Sequence, residues 1–243
     1  MGRSMIEEAL ACLEEADTFT AVEFLNQQPQ PTDVAAAYNE ILKVLYWKKR
    51  DINAVIALGR AGIQYSSDRA EAAAASGDME QAYTLRSAAK QLSYNLASYT
   101  WPGWNETGVI LNAVQMAAGL DAARQNLRLA LELDKPDLAL SRAYWMLGGH
   151  LLAAGTIIEA EAHYGRAQMY AHRAGEEAEE ALSEAFCLLA YWLLDRGREE
   201  RRRSYETARG RLSAYEDGPA FQQQLDNAKM VFVDENGGRL ERD

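Results

Sequence analysis

The stretch Ala143 to Ala171, AYWMLGGHLLAAGTIIEAEAHYGRAQMYA, constrains the fold more than any other part of the chain. Apolar residues recur at three- and four-residue spacing on both sides of Gly155, which predicts two amphipathic helices joined by a tight turn. Tyr144, Leu147, Gly148 and Leu151 share one face of the first helix, and Ala160, Tyr164 and Ala167 form the matching face of the second. The small residues Gly148 and Ala160 let the helices approach closely, while the two tyrosines fill the space beside them. Such a hairpin cannot bury its apolar faces alone, so it demands neighbours.

Weaker copies of the pattern supply them. A shift of 37 residues back gives Thr107, Ile110, Leu111 and Val114, then Ala123, Leu127 and Ala130. A shift of 42 forward gives Phe186, Leu189, Ala190 and Leu193 before Gly197, and the second helix of that copy fits better at 41, with Tyr205 and Ala208 on its face. Far upstream, a shift of 106 gives Tyr38, Ile41, Leu42 and Leu45, then Ala54, Leu58 and Ala61. A fifth copy around Ala82 and Ala89 keeps only the small residues. The sequence aromatic, Leu-Gly, then Ala and aromatic on the second helix resembles the tetratricopeptide repeat (TPR), with Tyr144 in place of Trp, Leu151 in place of Tyr and His172 where proline is usual. The spacings are longer than the usual length of about 34 residues.

The resemblance covers three adjacent units over 104–214 and one over 35–66. Residues 1–100 are then an N-terminal helical segment holding that single unit, and 215–243 a C-terminal capping helix and tail. The resemblance implies an all-α, right-handed superhelical array of antiparallel hairpins, an α-solenoid whose concave surface is lined by first helices and holds a peptide or partner segment. The groove positions it implies are Asn39, Lys43 and Tyr46; Gly108, Asn112 and Gln115; Trp145, Gly149 and Leu152; and Cys187, Tyr191 and Leu194. The repeated Lys/Asn/Arg pattern that clamps a chaperone's C-terminal carboxylate is reduced to Lys43 and Asn112. The groove is either open to a partner or filled by the protein's own terminal helix.

Composition agrees with the class. Ala, Leu, Glu and Gln dominate, only 5 prolines occur, and β-branched runs are nearly absent, so helices are expected throughout. Ser4, ahead of Glu7, is the expected cap of a first helix, followed by one over 18–27. Beyond the break at QQPQP, Thr32 or Asp33 is expected to cap a helix running to Arg50, with further helices over 51–66, 68–76 and 79–99. After TWPGWNETG at 100–108, helices are expected over 107–118, 120–134, 137–154, 157–174, 176–196, 198–214 and 219–230, giving 12 or 13 in all. The Trp-rich loop marks an internal boundary and is either a hydrophobic plug between helical layers or an exposed aromatic binding element. From Val231 the chain is expected to fray.

The net charge of −11 repels phosphate backbones and disfavours nucleic acid. No apolar run approaches the length of about 18 residues needed to span a bilayer, and the acidic start MGRSMIEEALACLEE is unlike a signal peptide, so no membrane and a cytoplasmic location are expected. Cys12 and Cys187 fall in apolar helical patterns as reduced thiols, with a disulfide or a shared ligand role as the alternative. His150, His163 and His172 lack the i, i+4 spacing of helix-borne metal ligands. No Gly-rich phosphate loop or nucleophile elbow occurs. No enzymatic activity, cofactor or metal is therefore expected. The run at 196–211 goes against the overall charge, and Arg198, Arg201, Arg202 and Arg203 form a candidate basic patch. It is either a salt-bridged helix beside the Glu-rich 176–184 segment or a dock for an acidic partner. Two functions follow: a protein-interaction scaffold or, alternatively, a self-assembling homo-oligomer.

Overall fold

A computed structural model describes residues 4–234. Among them are eleven α-helices and no strand: α1 Met5–Glu15, α2 Thr18–Asn26, α3 Pro31–Val44, α4 Ile52–Ala75, α5 Met79–Tyr99, α6 Ala113–Glu132, α7 Asp137–Ala153, α8 Ile157–Ala174, α9 Glu177–Leu193, α10 Glu199–Arg211 and α11 Gly218–Lys229. The chain forms two compact units, one of residues up to Thr100 with Ala117–Leu133, the other of Trp101–Met116 with the chain from Asp134 onward.

In the first unit, Ser4 and Glu7 form the expected reciprocal cap of α1. The long helices α4 and α5 pack along each other across a three-residue turn, with α3 laid against both. Two glycines of α4 make this possible. A Cβ on Gly62 would stand 2.8 Å from Cγ of Tyr38, and one on Gly59 would stand 3.2 Å from a methyl of Leu96. Asn95 of α5 donates to Asn39 of α3 at 2.6 Å, closing the third side of this packing.

In the second unit, α7, α8, α9 and α10 follow one another, each packed on the last, and α8 meets α9 almost as extensively as it meets α7. Gly155 (φ 77°) and Gly175 (φ 75°) make the two turns that bracket α8, in a left-handed conformation that a Cβ would strain. At the α7–α8 crossing a Cβ on Gly148 would stand 3.0 Å from the Tyr164 ring. Ser141 donates to the carbonyl of Ala167 at 2.8 Å, which ties the same pair nearer the other end.

Several expected boundaries shift. Residues 51–66 and 68–76 belong to the single helix α4. Every residue across that join is helix-compatible, and Ser67 returns its hydroxyl proton to the carbonyl of Ile63 at 2.8 Å. The hairpin expected over 107–134 is absent: α6 runs unbroken through Gly119, and residues 105–112 ahead of it are not helical. A lone glycine without a cap or proline weakens a helix by about 1 kcal/mol but does not end it. Ile110 and Val114, expected on an inner face, are 90 % and 79 % exposed. Pro31, not Thr32 or Asp33, opens α3, and Gln30 caps it without a side-chain bond. The same helix ends in a widened π turn, Leu45–Lys49, before Arg50 turns left-handed at φ 54°. The chain from Val231 is not frayed at its start, because Met230–Asp234 form another π turn with Phe232 buried. The Asn-Gly-Gly turn lies outside the described residues.

Candidate functional site

The groove positions divide into three kinds. Some are committed to helix ends. Asn112 and Gln115 bond reciprocally, each backbone N–H donating to the other's side-chain oxygen at 2.9 and 3.0 Å, which caps α6. Gly108 lies in the loop before it with φ 81°. In the first unit, Lys43 is exposed and paired with Glu40 at 2.6 Å, while Asn39 is half-buried by its bond to Asn95. Tyr46 is interior, its ring stacked on Tyr99 at 4.4 Å.

Others are buried in the second unit. Trp145, 7 % exposed, and Gly149 and Leu152 do not line an open surface as expected. The reason is that α7 is apolar on nearly every side, and its residues from Ala143 to Leu152 are all buried. The Trp-Pro-Gly-Trp turn of the same unit covers one of those sides. Pro102–Trp104 form a short 3-10 turn. From it the Trp101 indole lies edge-on to Trp145 at 5.1 Å and reaches Phe186 at 6.1 Å and Phe232 at 6.3 Å. Its ring sits directly on the backbone of α7, for a Cβ on Gly149 would come within 2.8 Å of Nε1. On the turn itself, Gly103 lies so close to the indole that any side chain there would collide with it. Trp104 packs against both Trp101 and Trp145, at 4.8 and 6.0 Å.

This aromatic cluster is polar at three points. The indole N–H groups of Trp101 and Trp145 and the hydroxyl of Tyr164 are shut away from solvent with no hydrogen-bond partner. Each such group costs about 1–3 kcal/mol, of which edge-to-face ring contacts recover only a part. Burial also pushes the Tyr164 hydroxyl well above its ordinary pKa.

The third kind remains open. Tyr191 is 42 % and Leu194 43 % exposed at the end of α9. Arg201 lies over the Tyr191 ring at 3.8 Å and donates to the Tyr191 carbonyl at 2.9 Å. Cys187, one turn earlier, donates to the carbonyl of Glu161 at 3.3 Å, and burial raises its thiol to about 11, which makes it a poor nucleophile.

The basic patch is paired in part within the chain, where Arg198, Arg202 and Arg203 share the two carboxylates of Asp195 and Glu199. Arg202 and Arg203 both bond Glu199, whose carboxyl their hydrogen bonds hold down at about 2. Arg198 pairs with Asp195 at 3.2 Å, Arg209 with Asp226 at 2.7 Å, and Arg211 with Glu184 at 2.7 Å. Arg196 donates to the carbonyls of Phe232 and Val233 at 2.9 and 3.3 Å. The Arg211–Glu184 pair spans a cleft of about 690 Å³ between α9 and α10, which Glu199, Glu200 and Arg203 also line.

Among the described residues no three metal-ligating side chains cluster, and no helix is long and apolar enough to cross a membrane. His163 bonds the carbonyl of Glu159 at 2.8 Å, and His172 bonds Glu180 at 3.0 Å. The engagement of Trp101 with Gly149 was not visible in the repeat pattern. Its only sequence signal was the improbable pairing of two tryptophans around Pro-Gly. No protein-family model matches the chain, and no curated protein matches its sequence.

Proposed function

We propose that the protein is a non-catalytic interaction scaffold built from TPR-like hairpins in a right-handed array, and that it holds a peptide or partner segment. The observation that carries this reading is the packing of α8, which meets α9 almost as extensively as α7. Independent hairpins would not share a core in that way; stacked repeats do. The partner-facing positions are those that remain open: Tyr191 and Leu194 with the stacked Arg201 in the second unit, and Lys43 in the first. A tyrosine and an arginine beside an apolar side chain are the residue types that anchor protein interfaces.

Native purification tests this. A protein that co-purifies with the wild type and is lost from the Tyr191→Ala/Leu194→Ser double variant is the expected result. Retention of every co-purifying protein by that variant would sink the assignment. The alternative, self-assembly through Arg198, Arg201, Arg202 and Arg203, has less support, because these side chains already engage Asp195, Glu199 and the Tyr191 carbonyl.

A further inference from the structure

We infer that the outward stripe of α9, with α10 as its second wall, is a groove for an extended basic segment of a foreign polypeptide. The inference rests on the scaffold reading and names the chemistry of the segment that the scaffold holds.

Helix α9 turns one stripe away from the core. Glu177, Ala181, Glu184 and Leu188 recur at spacings of four, three and four, and none of them is buried. Helix α10 runs antiparallel beside it, since Arg201 meets Tyr191 at one end and Arg211 meets Glu184 further along. Between the two helices lie clefts of about 690 Å³ and about 460 Å³, the second reaching His172 at the end of α8. Glu184 and Arg211 line both, so the clefts are neighbouring parts of one groove divided by that ion pair. At about 1.5 Å per helical residue the stripe from Glu177 to Leu188 is about 16 Å long, the span of about five residues of an extended chain.

The floor of the groove is apolar, where Ala181 and Leu188 stand half-buried, and its rims are charged. Five carboxylates line it, those of Glu177, Glu180, Glu184, Glu199 and Glu200, against the guanidinium groups of Arg203 and Arg211 and the imidazole of His172. Each basic group is already matched: Arg211 by Glu184, Arg203 by Glu199 and His172 by Glu180. Glu177 at one end and Glu200 at the other are left without a cationic partner among the described residues. The surplus in the groove is therefore negative, as is the net charge of −11 on the whole chain, and both fields draw a basic ligand. An acidic segment or a nucleic acid would set further negative charge on the same two carboxylates. Tyr191 follows Leu188 by three residues and carries the stripe onward with its half-exposed ring. The occupant sets two Lys or Arg side chains, about five residues apart, on Glu177 and Glu200, with an apolar side chain between them over the floor.

Fluorescence anisotropy of the full-length protein with the fluorescein-labelled peptide GSRGALSRGS tests this. Saturable binding is expected, weakened at least tenfold by Glu177→Gln/Glu200→Gln. Replacing both arginines of the peptide by glutamine should have an effect at least as large. The control Glu71→Gln/Glu80→Gln removes two exposed carboxylates of the first unit and should change the affinity less than twofold. Both double variants alter exposed side chains only and should keep native near-ultraviolet circular dichroism. The peptide GSRRGALSGS has the same composition but adjacent arginines, reaches one end of the groove only, and should bind at least fivefold more weakly. No saturable binding, equal losses for the two double variants, or indifference to arginine spacing would each overturn the inference. So would sedimentation in which the peptide dissolves a wild-type dimer, since the groove would then belong to a second copy. The two readings fail separately. If Tyr191→Ala/Leu194→Ser sheds a co-purifying protein while the peptide does not bind, the scaffold stands and the basic occupant falls.

Discussion

Glycine acts in two opposite ways at single positions of this chain. At Gly62 the missing side chain admits the Tyr38 ring, and a Cβ there would stand 2.8 Å from Cγ. At Gly165 in α8 a Cβ would meet only the Cys187 sulfur, at 4.0 Å. Alanine at the first position overpacks a buried crossing and should destabilise by about 1–3 kcal/mol. Alanine at the second lowers the unfolded chain's freedom without a clash and should stabilise by about 0.5–1 kcal/mol. Urea denaturation of the two variants should move the midpoints in opposite directions. A second contrast concerns the groove positions. Trp145→Ala removes a ring packed against four others and should cost about 3–5 kcal/mol. Tyr191→Ala removes a half-exposed ring and its Arg201 stack and should cost about 1 kcal/mol or less. Equal losses would mean that Tyr191 is structural.

The elements differ in what holds their ends. The first turn of α10 carries Glu199 near the positive end of the helix, bonded to both Arg202 and Arg203. Those bonds lower its folded pKa to about 2 from the ordinary 4.5. A depressed carboxylate contributes its stability above the unfolded value and loses it as pH falls through the folded one. The start of α10 should therefore fray between about pH 4.5 and 2, with a carboxyl titration midpoint near 2 by NMR. A midpoint at the ordinary value would show that the arginines do not hold it. The copy over 107–134 illustrates why elements are only partly legible. Its apolar residues have helical spacing, yet the same spacing occurs on any helix with one buried stripe. Nothing in Ile110, Leu111 or Val114 says whether a partner helix lies opposite. In the structure Asn112 and Gln115 start a single helix there instead. By contrast, Ala143–Ala171 was legible, because Gly155 marks a turn and small residues face each other across it.

At the scale of the whole molecule, charge bears on the choice between the two proposed functional classes. The chain carries a net −11, and its one arginine-rich segment is spent on internal carboxylates and carbonyls. Copies of a protein with a large net negative charge repel one another. Sedimentation should give the same species at low and at physiological salt. A dimer that appears at low salt and dissolves as ionic strength rises would favour the self-assembling alternative.

The sequence by itself determined the helical class, most helix limits and the turns at Gly155 and Gly175, because propensity, periodicity and left-handed turn residues act within a few positions of one another. Only the tertiary structure decided which apolar faces are closed. Trp145 and Tyr191 stand on comparable faces of helices with similar patterns, yet one is enclosed by Trp101, Trp104 and Phe186 and the other is half open. The difference comes from a turn more than forty residues upstream of Trp145, whose Trp101 is itself backed by Phe232, about ninety residues downstream of Trp145. Residues that distant in sequence leave no mark on the local pattern of a helix, since burial is a property of what arrives from elsewhere.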